Sequence, residues 1–199
     1  MKLVFASNNK HKLEEVRQIL PAEVVVISLK EIGFFQEIDE VGETLEANSA
    51  LKAEEVWNWL NTNGLLSEVD GVFADDTGLE IKALGGLPGV RTARWAGDEA
   101  CDADNRQKAL HELSGVEERS ARFRTVITLI KGGEMQQVEG IVDGKIALSE
   151  EGEHGFGYDP VFIPDGYDNT FASLSAEVKN SISHRGRAME ALKKIIECL

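Results

Sequence analysis

The chain has 199 residues, a formal net charge of −14 and 42% hydrophobic residues. That is enough apolar material to bury one core, or two lobes of one domain, without covalent staples. The acidic balance excludes broad nucleic-acid binding, which runs on a basic footprint, and apolar runs no longer than Val24-Val25-Val26-Ile27 exclude a membrane-spanning helix. Met1 to Ser7 is too brief for the apolar region of a signal peptide. Cys101 and Cys198 form neither a spaced metal motif nor a disulfide framework, so the expectation is a reduced, cytoplasmic protein. The charge is also segregated. Residues 31–80 hold 13 acids and a single base, Lys52, whereas residues 179–194 carry a net +4.

In chain order, Lys2 to Ala6 reads as a short buried strand running into the polar turn Ser7-Asn8-Asn9. Leu13, Val16, Ile19 and Leu20 then fall on one face of a helix from Lys10 to Leu20, stopped by Pro21. Val24 to Ile27 is a second strand. Residues 43–60 are helical, with Asn48 and Lys52 four apart on one face, and Gly64 is the terminator. Val72-Phe73-Ala74 is a strand expected to end in the turn Asp75-Asp76-Thr77-Gly78. Gly85-Gly86-Leu87-Pro88-Gly89 is a constrained loop, and Asp102 to Leu113 a helix. Arg122–Ile130 and Met135–Leu148 are long strands of a hairpin turning at Lys131-Gly132-Gly133. Gly152 to Pro160 is a glycine-rich loop, Val161-Phe162-Ile163 a short strand, and His184 to Cys198 a closing amphipathic helix. Helices and strands alternate and a hairpin is inserted late, which points to an α/β class with a mixed sheet.

Four constellations carry chemistry. Ser7-Asn8-Asn9-Lys10-His11-Lys12 joins a strand to a helix N-terminus, where unpaired N–H groups and the dipole favour an anion. Its plainer reading is an ordinary N-cap. The Walker A glycines are missing, so it is not a P-loop. Asp75-Asp76-Thr77-Gly78 puts carboxylates at a strand end, where α/β sheets collect ligands. With a further acid from Asp39-Glu40-Val41-Gly42-Glu43, it offers hard oxygens suited to Mg²⁺, or else only a polar turn. Gly155-Phe156-Gly157-Tyr158-Asp159-Pro160 lets backbone approach a ligand and offers Phe156 for stacking on a base. Finally, Ser183-His184-Arg185-Gly186-Arg187, with Lys179 upstream, sets bases at a helix start against the macrodipole, a conflict that an anion resolves. There is no GxSxG elbow and no zinc-type histidine spacing.

In order and spacing these motifs resemble the inosine triphosphate pyrophosphatase family, the non-canonical purine NTP pyrophosphatases or dITP/XTP diphosphatases. Glu46-Ala47-Asn48-Ser49-Ala50-Leu51-Lys52-Ala53 and Leu84-Gly85-Gly86-Leu87-Pro88-Gly89 add to the likeness. The resemblance implies a single domain over 1–199, with two lobes around a long central mixed sheet, flanking helices and a substrate cleft between the lobes. It implies a homodimer, Mg²⁺ dependence and hydrolysis of ITP, dITP and XTP to the monophosphate and pyrophosphate. By position, Asp76 looks like the general base and a metal ligand, and Glu40 like the second ligand, with Asp39 and Glu43 as alternatives. Ser7 to Lys12, Lys52, Thr77 and Lys179 look like the phosphate and ribose grip. Phe156, Gly157, Tyr158 and Asp159, with His184 and Arg185, look like the base pocket. Many members have glycine at Asn8, and asparagine tolerates a left-handed backbone better than most residues. The competing expectations are a pyrophosphatase of other modified nucleotides and a nucleotide-sensing module without catalysis.

Overall fold

A computed structural model describes residues 1–198, and the side chain of Cys198 lies outside what is described. The strands are β1 (Lys2–Phe5), β2 (Val25–Ser28), β3 (Gly71–Ile81), β4 (Pro88–Gly89), β5 (Ser120–Lys131), β6 (Glu134–Ile146) and β7 (Phe162–Pro164). The α-helices are α1 (Lys10–Ile19), α2 (Leu45–Thr62), α3 (Asp102–Glu112), α4 (Ala176–Ile182) and α5 (His184–Cys198). The strands hydrogen-bond in the order β2-β1-β3-β5-β6-β7, with β4 on β3. Pairing of β1 with β2 and β3 is parallel, whereas β3–β4 and β6–β7 are antiparallel. This is the expected α/β class with a mixed sheet.

The chain forms two compact units. The first comprises Met1–Asp76, Thr125–Gly140 and Ala188–Leu199. Its sheet is buried on both sides, as continuous apolar runs such as Leu3-Val4-Phe5 require. Side chains alternate along each strand. Leu3, Phe5, Phe73, Ile127 and Leu129 face a core with Val16 of α1 and Met189 and Leu192 of α5. Val4, Ala6, Val72, Ala74 and Ile130 face the opposite core, with Ala53, Val56 and Leu60 of α2. The second unit comprises Thr77–Arg124 and Ile141–Arg187. It packs Ala109 and Leu113, at the end of α3, with Leu79, Ile81, Phe123, Phe162 and Phe171 in one core.

Several boundaries differ from the sequence reading. Asp75 to Gly78 do not form a turn, because they lie inside the 11-residue β3. Parallel pairing with β1 ends at Phe5↔Phe73, but β3 continues beside β5 and pairs with β4 at Leu79↔Gly89. Paired backbone therefore overrides the turn preference of Asp and Gly. The second helix starts at Leu45 instead of residue 43, since the Thr44 side chain caps it by accepting from the Ala47 N–H at 3.1 Å. The helix α4 has only seven residues, too few for a 3.6-residue period to be legible. Leu87-Pro88 is a cis peptide. Among the described residues, no non-glycine has positive φ. Asn8 therefore does not use its tolerance of a left-handed backbone.

Candidate active site

In the first unit the alternation of β3 decides which helix each acid meets. Asp75 shares the face of Phe73 and Asp76 that of Ala74. Accordingly, Lys12 Nζ of α1 donates to Asp75 Oδ1 at 3.0 Å. Lys52 Nζ of α2 donates to Asp76 Oδ1 at 2.9 Å and to Glu40 Oε1 at 2.7 Å. Of the three acids weighed before α2, Glu40 is the one at this ammonium, while Asp39 and Glu43 are exposed. Burial holds the Asp76 carboxyl above the usual range, against the pull of Lys52 and Lys12. Burial works against the Lys52 charge, but Asp76 and Glu40 outweigh it and its pKa is raised. The two carboxylates therefore favour the charged form of the lysine.

Fully buried Asn48 ties these acids together. Its Oδ1 accepts from the Gly42 N–H at 2.7 Å, and its Nδ2 donates to Asp76 Oδ2 at 3.4 Å. In the sequence, Asn48 shares a helix face with Lys52 and lies in the family-like stretch Glu46 to Ala53. The fold shows why that face is polar. Two carboxylates from separate segments converging on one ammonium fit a hard divalent cation that takes its other ligands from water and phosphate. Among the described residues, no group of three or more His, Cys, Asp or Glu forms a closed cage. Asp76 and Glu40 are the side chains that would hold such an ion.

The turn before α1 behaves partly as a plain cap. Asn9 Oδ1 accepts from the Lys12 N–H at 3.1 Å and Ser7 Oγ from the Asn9 N–H at 3.2 Å. Asn8, Lys10 and His11 are exposed. Capping leaves the α1 N-terminus presented to solvent, where the dipole favours an anion.

The second unit holds the aromatic group. The Asp159 carboxylate accepts from the Phe156 N–H at 2.8 Å and from Lys179 Nζ at 2.7 Å. Lys179 Nζ also stands 4.9 Å from the Phe156 ring centroid, and the Arg185 guanidinium 5.7 Å. Lys179, which the resemblance places in the phosphate and ribose grip, contacts Asp159 and the Phe156 ring. Thr77 lies in the same unit, its Oγ1 accepting from Arg185 Nη2 at 3.3 Å. His184 is buried and stacks on Phe123 with centroids 4.5 Å apart, a partner no motif indicated. Tyr158 is buried, its hydroxyl donating to Thr92 O at 3.1 Å, and burial pushes its pKa up. Two glycines are sterically required. A Cβ on Gly155 (φ +80°) would lie 2.1 Å from Asp159 Oδ2, and one on Gly186 would lie 1.9 Å from Asn180 O. The first lets Asp159 reach under its loop, and the second lets α5 start hard against the end of α4.

Comparison with known proteins identifies the family. The Ham1 family model matches residues 3–195. The chain is 45% identical over 192 residues to a dITP/XTP pyrophosphatase of Flavobacterium johnsoniae, covering 96% of each. To a protein of the same name in Bacillus subtilis it is 46% identical over 198 residues, covering 98% of this chain and 96% of that one. Among solved structures, the Staphylococcus aureus Ham1 protein superposes with a TM-score of 0.85 at 38% identity, covering 99% of this chain and 98% of that one. A Ham1 protein from Coxiella burnetii gives 0.86 at 35% identity and covers 100% of both. Likeness of this depth along nearly the whole length of the chain and of its relatives means that the chain belongs to the Ham1 family.

Proposed function

We propose that the protein hydrolyses non-canonical purine nucleoside triphosphates, ITP, dITP and XTP, to the monophosphate and pyrophosphate, and so clears deaminated purines from the nucleotide pool. One observation carries the catalytic part: Asp76 and Glu40 converge on the Lys52 ammonium. The names of the relatives, dITP/XTP pyrophosphatases, supply the substrate class.

In this reading, water attacks the α-phosphorus and the bond to the bridging oxygen of the β-phosphate breaks, releasing pyrophosphate. Asp76 orients the water and accepts its proton, and the raised pKa of its buried carboxyl suits a base. A bound Mg²⁺ would neutralise phosphate charge, which is most of what phosphoryl transfer asks of a protein. Lys12, Lys52 and the turn from Ser7 to His11, with Thr77, bind the phosphates and ribose. Phe156 stacks on the base, with Gly157, Tyr158, Asp159, Lys179, His184 and Arg185 around it. Donors aimed at a 6-oxo group leave the 6-amino group of adenine badly paired, which discriminates strongly. We further propose a homodimer working in the cytoplasm. The family resemblance supports the dimer, and sedimentation tests it.

The deciding experiment incubates the protein with ITP, dITP, XTP, ATP and GTP plus Mg²⁺ and identifies the products. Selective release of pyrophosphate and monophosphate from the first three is expected. Equal turnover of ATP and ITP overturns the selectivity, preference for another modified nucleotide points to the related housekeeping activity, and tight ITP binding without turnover points to a sensor.

A further inference from the structure

We infer that Arg106 and Asp102, on α3, are positioning residues for base selection, acting through the backbone of Gly157. The inference rests on the proposed base pocket, and it concerns a helix that no motif implicated.

Gly157 lies between Phe156, whose ring faces Lys179 and Arg185, and buried Tyr158. Its N–H donates to Asp102 Oδ2 at 2.7 Å, and its carbonyl accepts from Arg106 Nη1 at 2.9 Å. These groups belong to the two peptide planes that join Gly157 to Phe156 and to Tyr158, so α3 holds the loop on both sides of one residue. Asp102 and Arg106 are four apart and share a helix face. Both bonds use a charged partner, which makes them the stronger kind. The guanidinium is itself fixed, because its Nε donates to Glu150 Oε2 at 2.9 Å while Gln107 Nε2 donates to Glu150 Oε1 at 3.0 Å. Ala109 and Leu113 root the far end of the helix in the core of the second unit. A glycine-rich loop has many conformations to lose, and a recognition ring works only when its support is locked. The clamp supplies that lock on one side of Phe156, and Asp159 supplies it on the other.

The test measures steady-state kinetics of wild type, Arg106→Ala, Asp102→Ala and Asp102→Asn with ITP and ATP, with inorganic tripolyphosphate as a base-free inhibitor. Loss of a charge-assisted hydrogen bond in Arg106→Ala is expected to raise KM for ITP about tenfold and to narrow the ITP over ATP preference by a similar factor. The kcat value and inhibition by tripolyphosphate should stay within about twofold, the pattern of lost ground-state binding. Asp102→Ala should show a smaller rise of the same kind, and Asp102→Asn should recover most of it, since an amide oxygen still accepts from the Gly157 N–H. Unchanged KM and selectivity in both alanine variants overturn the inference, as does a fall in kcat or in tripolyphosphate affinity with KM for ITP unmoved. Asp102 is exposed, so its variants report even if Arg106→Ala does not fold. Amide hydrogen exchange across residues 152–160 gives a readout independent of substrate. Faster exchange in Arg106→Ala and Asp102→Ala is expected, and unchanged exchange overturns the clamp. Failure of the wild type to turn over ITP counts against the proposed function, and the exchange data then decide the clamp by themselves.

Discussion

The two units hold their candidate functional residues in different ways. In the first, the working groups are ion pairs between long side chains: Lys12 with Asp75, and Lys52 with Glu40 and Asp76. In the second, they are aromatic rings and backbone groups, with Phe156 under two cations, His184 on Phe123 and Gly157 held by α3. Each unit contains one deeply buried lysine paired with a carboxylate, Lys52 with Asp76 and Lys179 with Asp159, all with side chains at most 8% exposed. The pairs have different neighbours. Lys52 has a second carboxylate, which makes a charge-dense place fit for a metal and phosphates. Lys179 has an aromatic face, which makes a place fit for a flat base. On the proposed roles the difference separates chemistry from recognition, and kinetics can read it as kcat against KM.

The largest expected effect is that of Asp76→Asn. Removing the proposed base should cut kcat by roughly 10²–10⁴-fold while KM for ITP moves little, since general-base catalysis contributes on that order. A variant that keeps its kcat breaks the comparison at its centre. Lys52→Met comes next. It leaves two partly or fully buried carboxylates without their cation, a defect that costs about 3–5 kcal/mol in other proteins, and urea unfolding measures it. The same variant should lose turnover at every Mg²⁺ concentration, whereas Lys179→Met should raise KM first. Identical kinetic defects in the two lysine variants would dissolve the distinction. Phe156→Ala should then raise KM for ITP by roughly tenfold, within the range for stacking on one base, with kcat within a few-fold.

The smallest effects concern pH and stability. In the first unit Ser28, and behind it Arg17, hold the Glu31 carboxyl below its ordinary range. A lowered folded-state pKa stabilises above the unfolded value near 4.3 and loses that contribution as pH falls through the folded pKa. Glu31 is largely exposed, so screening keeps the effect under about 1 kcal/mol. In the second unit burial raises the Tyr158 pKa. A raised pKa stabilises below the unfolded value near 10 and loses the contribution as pH climbs past it. Glu31→Gln should therefore flatten the acid arm of a stability-against-pH curve and Tyr158→Phe the alkaline arm. Exchange of the two outcomes would contradict the assignments.

Local order was legible in the chain itself because it rests on short periods. The continuous apolar run Leu3-Val4-Phe5 specifies a strand buried on both faces, and the spacing of Asn48 and Lys52 specifies a shared helix face. The ordered motifs likewise pointed to the family and to the residues of both candidate groups. What the chain could not show are relations between residues far apart in sequence. Asp39, Glu40 and Glu43 are equivalent as letters, and only packing of the segment over Asn48 brings Glu40 to Lys52. Asp75-Asp76-Thr77-Gly78 reads as a turn by composition, and only pairing along the sheet keeps it a strand. Lys179 carries the same charge wherever it lies, and Asp159 and the Phe156 ring decide its company. The net charge of −14 argued against an anionic partner until the fold set Lys12 and Lys52 against individual carboxylates. Total charge is a sum over the chain, whereas binding depends on the few charges that folding brings within a Debye length of the ligand.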